Sequence, residues 1–204
     1  LLALVMILGL AACASTKPAA DATATSEPSN TGDSASAETS AEASDAAPAE
    51  SGKTYTVGVC QLIQHEALDA ATQGFVDALK EALGDAVTID VQNASGDSVN
   101  CGTIVNGFVA KGVDLIMANA TPALTAAVSA TADIPILGTS ITAYGVALDI
   151  DDFNGTVGGN VSGTSDLADL QKQAQMILDW FPETKTVGLL FCSAEPNSRY
   201  QIDE

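Results

Sequence analysis

The stretch TYTVGVCQLIQHEALDAATQGFVDALKEALGDAVTIDV, residues 54–91, decides the fold. Tyr55-Thr56-Val57-Gly58-Val59-Cys60 is rich in β-branched residues and predicts a strand. Leu68, Ala71, Phe75, Leu79 and Leu83 recur at three- and four-residue steps, which puts them on one stripe of a helix from about Glu66 to Leu83, closed by Gly84. Val87 to Val91 returns to strand character. Strand, helix and strand with short links form a βαβ unit, whose two strands lie parallel.

The same alternation continues. Asp97 or Ser98 caps a second helix whose buried face is Cys101, Ile104 or Val105, Phe108 and Val109; it ends at Lys111-Gly112, where a cation and a glycine both suit a helix carboxyl terminus. Asp114 to Ala118 is a third strand. Thr121-Pro122 opens a third helix to Ala132, with Thr as N-cap and Pro first in the helix, and Ile134-Pro135-Ile136-Leu137 is a fourth strand. The pattern is α/β: a parallel sheet covered by helices on both faces. Residues 54–142 thus make a first lobe. Residues 143–166, with Gly145, Gly155, Gly158, Gly159 and Gly163 in no phosphate-loop spacing, read as a crossover or hinge. Residues 167–204 open a second lobe, with a helix from about Leu167 to Phe181 stopped by Pro182 and a strand from Thr186 to Cys192.

Upstream of Thr54 the composition changes twice. Residues 1–12 are apolar or small and end at Cys13, about 6 to 8 residues short of a membrane-spanning helix. Residues 1–13 read as an export signal, and Leu10-Ala11-Ala12-Cys13 resembles a bacterial lipobox, which makes Cys13 the lipidation site. The alternatives are an ordinary signal peptide or a buried strand with a core thiol. Residues 14–53 contain no Val, Ile, Leu, Met or aromatic residue. Such a segment cannot bury enough apolar area to offset its ordering entropy, so it predicts an acidic, disordered tether with a reach of about 35 Å. A lipid at one end and a globular domain at the other suit a protein held at the outer face of a membrane.

Seven Lys+Arg against 26 Asp+Glu give a net charge of −19 over 204 residues. That balance excludes a basic surface for phosphate backbones, and nucleic acid is not the partner. In open α/β sheets, ligands bind beyond the carboxyl ends of the strands. Here those positions are Gln61 to His65, Gln92 to Ser95, Asn119 to Thr121, Thr139-Ser140 and Ser193 to Ser198: amides, hydroxyls and one imidazole. They include no carboxylate pair at general-acid spacing, no nucleophile elbow and no metal-ligand cluster. Such a site binds rather than transforms and calls for no cofactor.

The candidate ligand-binding residues are Gln61, His65, Thr121, Pro122, Ala123, Thr139, Ser140, Glu195, Asn197 and Ser198. His65 either faces ligand or caps the first helix. No Arg or Lys lies at the strand ends of the first lobe. An anionic group on the ligand would therefore fall to the free N–H groups of the third helix, from Ala123 onward, and to the Thr121 hydroxyl, with Thr139 and Ser140 beside them. The helix start at Asn197-Ser198 is the alternative. Beyond Cys13 the cysteines are Cys60, Cys101 and Cys192; a Cys60–Cys101 disulfide and buried reduced thiols both fit. Asn160-Val161-Ser162 matches the glycosylation sequon by chance in a chain with a bacterial lipobox.

Five runs in order carry a family resemblance. They are Val57-Gly58-Val59-Cys60-Gln61, His65-Glu66-Ala67-Leu68-Asp69-Ala70-Ala71, residues 114–123 (DLIMANATPA), residues 158–166 (GGNVSGTSD) and Ser193-Ala194-Glu195-Pro196-Asn197-Ser198. From about Tyr55 to its end the chain resembles the ABC transporter substrate-binding protein family, whose characterised relatives include tryptophan- and tyrosine-binding lipoproteins. The resemblance implies a type I periplasmic-binding-protein fold: two Rossmann-like lobes, the second truncated here, joined by hinge strands and closing over a ligand. It implies an amino acid as that small molecule, aromatic ones included, a membrane permease of the ABC type as partner, an extracytoplasmic and lipid-anchored location, and no enzymatic activity. Where relatives often carry Thr-Asp-Pro-Val-Gly, this chain has Thr142-Ala143-Tyr144-Gly145-Val146 beside the cleft. A ligand-sensing ectodomain without transport and a flavodoxin-like extracytoplasmic enzyme are the alternatives.

Overall fold

The computed structural model describes residues 52–204. The export signal, Cys13 and the tether up to residue 51 lie outside the described residues. Strand β1 (Tyr55–Gln61) leads through helix α1 (Glu66–Leu83) and a single 3-10 turn to β2 (Val87–Asn93). Then follow α2 (Ser98–Lys111), β3 (Leu115–Asn119), α3 (Thr121–Ala130), β4 (Ile136–Ile141), α4 (Tyr144–Ala147), β5 (Val161–Ser165), α5 (Leu170–Trp180) and α6 (Pro196–Asp203). The five strands form one sheet in the order β2-β1-β3-β4-β5, and every pair is parallel.

Alternation along β1 explains the two layers of core. Val57 and Val59 face α1 and meet Met117, Phe75 and Leu79. Cys60 points the other way, to α2 and α3, where Val105, Phe108, Ile116, Ala118 and Leu124 are buried. Gly58 sits directly under the Phe108 ring, where any Cβ would collide with it. Both helix starts on this βαβ frame are capped by side chains: His65 Nδ1 accepts the Ala67 N–H at 3.2 Å, and Asp97 Oδ1 accepts the Val99 N–H at 2.8 Å. Gly112, at φ 65°, closes α2 in the left-handed conformation that an L side chain resists.

Three sequence expectations are corrected. Residues 143–166 are not purely a crossover, because they carry α4 and the fifth strand, β5, which joins β4 at the edge of the same sheet. Val-Ser-Gly-Thr-Ser has no apolar alternation to announce it. Its Gly163 is required because a Cβ there would strike the Gly138 carbonyl and the Tyr144 hydroxyl. Next, Thr186 to Cys192 forms no strand, although its composition favours one. A strand is stable only when paired, and among the described residues it has no neighbour; Leu190 there is fully exposed. Finally, Ala120 rather than Thr121 is the N-cap of α3, with no side-chain cap, and Thr121 and Pro122 are its first two helical residues.

Candidate functional site

The carboxyl edge of the sheet carries one row of neutral polar residues. Gln61 is the register partner of Asn93 on one side and of Asn119 on the other, and Asn119 is that of Thr139. Thr164 of β5 extends the row, its hydroxyl 3.4 Å from that of Thr139. Parallel strands in register put such partners on a common face, here the face covered by α1. Gln61, Ile63, Asp69, Thr72, Asn93 and Ser95 line a cleft of about 710 Å³ at this edge. That volume lies within the usual span of small-molecule sites.

A directed chain of hydrogen bonds fixes the amides. Asn119 Nδ2 donates to the Leu68 carbonyl at 2.8 Å and to Thr72 Oγ1 at 2.9 Å; Thr72 in turn donates to Gln61 Oε1 at 2.6 Å. Gln61 Nε2 then donates to Asp69 Oδ1 at 2.6 Å and to the Ile63 carbonyl at 2.8 Å. Every side-chain amide hydrogen of Asn119 and Gln61 is thereby spent inward, on α1 and the loop before it. What the network leaves over is acceptor capacity. Asn119 Oδ1 is buried and has no partner among the described residues, and the same holds for Thr121 Oγ1 two residues on. A buried polar atom left unpaired costs about 1–3 kcal/mol, so two of them flanking one residue require an explanation.

The backbone is strained at the same edge. Ser95 (φ 56°) follows β2, Ala120 (φ 90°) follows β3, and Ser140 (φ 56°) lies at the bulge in β4. Non-glycine residues at positive φ cost roughly 1–3 kcal/mol each and gather at ligand-binding sites. None of the three strand ends carries a cation.

Of the residues picked out in the sequence, Gln61 and Thr139 stand on the row, with Ser140 adjoining it. Thr121, 2% exposed, lies directly beyond Asn119 and Ala120. His65 serves as the α1 cap, one of its two expected roles. Ala123 is buried and its N–H is already engaged with the Ala120 carbonyl at 3.1 Å, so the free donors expected from Ala123 onward do not begin there. Pro122 borders a groove between α2 and α3 that also touches Ala194 and Pro196. Glu195 is the N-cap residue of α6 and accepts the Ser198 hydroxyl at 3.1 Å, while Asn197 Oδ1 is buried without a partner. Glu195, Asn197 and Ser198 therefore cluster at the start of α6, apart from the row. Sequence reasoning placed Asn93 and Asn119 at the strand ends without choosing them as ligand-binding candidates, and it missed Asp69 and Thr72. For the two residues on α1 the available signal was Thr72, a polar residue beside Ala71 on the apolar stripe.

The loop that departs from the common pattern has a structural role. Tyr144 is buried and its hydroxyl donates toward the carbonyls of Gly138 at 3.0 Å and Thr164 at 3.3 Å, tying β4 to β5. Burial, aided by the Asp166 charge, pushes its phenol up to about 12. Asn160, from the sequon-like triplet, donates to the carbonyls of Ile134 at 2.7 Å and Thr131 at 3.2 Å, which anchors the start of β4.

Residues 56–204 match the family model for the ABC transporter substrate binding protein. The chain is 37% identical over 160 residues to a tyrosine-binding protein of Clostridioides difficile, covering 76% of this chain and 45% of that one. Among solved structures, the ABC domain from Streptococcus pneumoniae in complex with L-Trp shares 36% identity at a TM-score of 0.69, covering 74% of this chain and 52% of that one. A conserved domain protein of Vibrio cholerae shares 32% at 0.69, with the same coverage of 74% and 52%. A ligand-free, open substrate binding protein with adhesive properties from Clostridium difficile shares 37% at 0.58, again covering 74% and 52%. The chain spans about half the length of these relatives. The α/β class with a parallel sheet, expected from the sequence and observed with five strands, agrees with these periplasmic-binding-protein-like structures. With residues 56–204 matched and a parallel α/β frame in place, the chain belongs to the ABC transporter substrate binding protein family.

Proposed function

We propose that this chain provides the first lobe, and the opening of the second, of an extracytoplasmic receptor that captures an amino acid and delivers it to an ABC permease. The carrying observation is the pair of unpartnered oxygens, Asn119 Oδ1 and Thr121 Oγ1, on either side of the strained Ala120 at a neutral carboxyl edge. An amino acid offers what both lack: its ammonium group donates to the Asn119 acceptor, and its carboxylate accepts from the Thr121 hydroxyl. Gln61, Thr139, Ser140 and Pro122 border the same edge, and Glu195, Asn197 and Ser198 approach from the second lobe as the lobes close. A relative binds L-Trp and another is a tyrosine-binding protein, which favours an aromatic side chain for the ligand here. The charged machinery of catalysis is foreign to this reading, so the protein binds without turnover.

The lipid anchor at Cys13 and the tether of residues 14–53 complete the reading by holding the receptor near its permease; among the described residues no helix is long and apolar enough to cross a membrane. Labelled palmitate is expected to enter the wild-type protein and not Cys13→Ser, which should appear in the soluble fraction; equal labelling of both would refute the anchor. For the ligand, the protein is isolated from its source without dialysis and its bound small molecules are identified by mass spectrometry. An amino acid released on denaturation is the expected result. A flavin, or a ligand with no amino and carboxyl groups, would overturn the reading.

A further inference from the structure

The hydrogen-bonded chain behind Asn119 admits one polarity. Gln61 Nε2 lies 2.8 Å from the Ile63 carbonyl and 2.6 Å from Asp69 Oδ1, and Asn119 Nδ2 lies 2.8 Å from the Leu68 carbonyl. Carbonyls and carboxylates only accept, so each amide turns its nitrogen to them. The one hydroxyl hydrogen of Thr72 then goes to Gln61 Oε1, 2.6 Å away, and its lone pairs receive Asn119 Nδ2 at 2.9 Å. Every donor points the same way, from Asn119 through Thr72 and Gln61 to the Asp69 carboxylate. Asn119, Thr72 and Gln61 are 0%, 8% and 4% exposed, whereas Asp69 stands at the surface. Asp69 and Thr72, three residues apart on α1, lie on one side of that helix.

We propose that Thr72 and Asp69 are positioning residues for the ligand's ammonium group: acting through Gln61 and Asn119, they fix Asn119 Oδ1 as the acceptor offered to it and couple it to a negative charge that it does not touch. This assignment rests on the amino-acid reading of the site and supplies that reading with a basis for selecting the amine.

Hydrogen bonds in a directed chain polarise one another, and more so where water is excluded. With the carboxylate at one end, the free end of this chain is an acceptor, and Asn119 Oδ1 has no partner among the described residues. An ammonium, which only donates, suits that end; a carboxylate in its place would set oxygen against oxygen. A row of neutral amides and hydroxyls can in this way favour a cation, because the compensating charge stands behind it on α1.

The test is calorimetry on a chain of the relatives' full length, with L-Trp and L-Tyr and with their deamino analogues, indolepropionate and hydroxyphenylpropionate. The wild type should bind the amino acid at least about 10-fold more tightly than its deamino analogue. Thr72→Val should weaken the amino acid about 10-fold and the analogue less than about 2-fold, with Thr72→Ser close to the wild type. Asp69→Asn should weaken the amino acid about 3-fold in the wild type and cause no further loss in Thr72→Val, where the chain that carries its effect is already cut. Additive losses in the double variant, or equal losses for amino acid and analogue, would overturn the proposal while the amino-acid reading stands. So would wild-type affinity in Asp69→Asn, or equal affinity of the wild type for amino acid and analogue. Binding of neither amino acid by the wild type would overturn that reading and the proposal with it. Should Thr72→Val fail to fold by circular dichroism, Thr72→Ala takes its place in the same cycle.

Discussion

Residues 55–165 and residues 167–204 share the same local chemistry of helices and β-prone runs, yet they behave oppositely. In the first region Val59, Val105, Phe108, Ile116 and Leu124 are wholly buried, and each strand finds a parallel neighbour. In the second, α5 and α6 bury no residue; Trp180, Phe181, Leu189 and Leu190 face outward. Propensity is equal on the two sides; partnership is not. Burial of apolar area stabilises by about 25 cal/mol per Å², so a β-prone run with nothing to pair or pack against gains none of it. On the proposed reading, the covering partners of the second region belong to the length that the relatives have and this chain does not span.

The contrast breaks most readily at the centre of the first region. Phe108→Ala should destabilise the chain by about 3–5 kcal/mol in urea denaturation, since the ring fills the space above Gly58 and leaves a cavity when removed. A loss under about 1 kcal/mol would mean that α2 is as loosely held as α5. Gly163→Val should cost about 3 kcal/mol or more, combining positive φ with a collision against the Gly138 carbonyl and Tyr144.

Tyr144→Phe removes the tie between β4 and β5 and should cost about 1 kcal/mol at neutral pH. It also carries a signature in alkali. The folded phenol is raised to about 12, above its usual value, so its contribution is complete below about pH 10 and is lost as pH rises toward 12. Melting curves from neutral to alkaline pH should therefore show the wild type falling faster than Tyr144→Phe over that window; parallel curves would disprove the assignment. Asp97→Ala, which deletes the α2 cap, is expected to cost about 1 kcal/mol. At the small end, Leu190→Ser in this chain should change stability by less than about 0.5 kcal/mol, because its side chain is already in water. A larger loss would show that residues 186–192 are paired after all.

Legibility in the sequence follows the same divide. The βαβ frame was readable because Leu68, Phe75 and Leu79 keep a helical step and Val57 and Val59 alternate, and both signals reflect what those residues bury. β5 was not readable, since Val161 to Ser165 is held by Gly163 against Gly138 and by the Tyr144 hydroxyl, contacts between residues far apart in the chain. The start of α3 misled because Thr-Pro is a common opening. Ala120 takes the non-helical angles of the cap instead, which leaves the Thr121 hydroxyl buried and unpaired. The candidate site was half legible. Strand ends locate the edge, but the pairing of Asn119 with Thr72 and Gln61 depends on how α1 lies on the sheet.

The central claim, that the carboxyl edge around Ala120 holds the ligand, is tested most directly by titrating L-Trp and L-Tyr calorimetrically into the wild type, Thr121→Ser and Thr121→Val, in a chain of the relatives' full length. The account predicts that Thr121→Val melts no lower than the wild type, because an unpaired buried hydroxyl is lost. It also predicts affinity for the bound amino acid about 5- to 100-fold weaker in Thr121→Val, with Thr121→Ser close to the wild type. Unchanged affinity in Thr121→Val would place the carboxylate elsewhere and contradict the account.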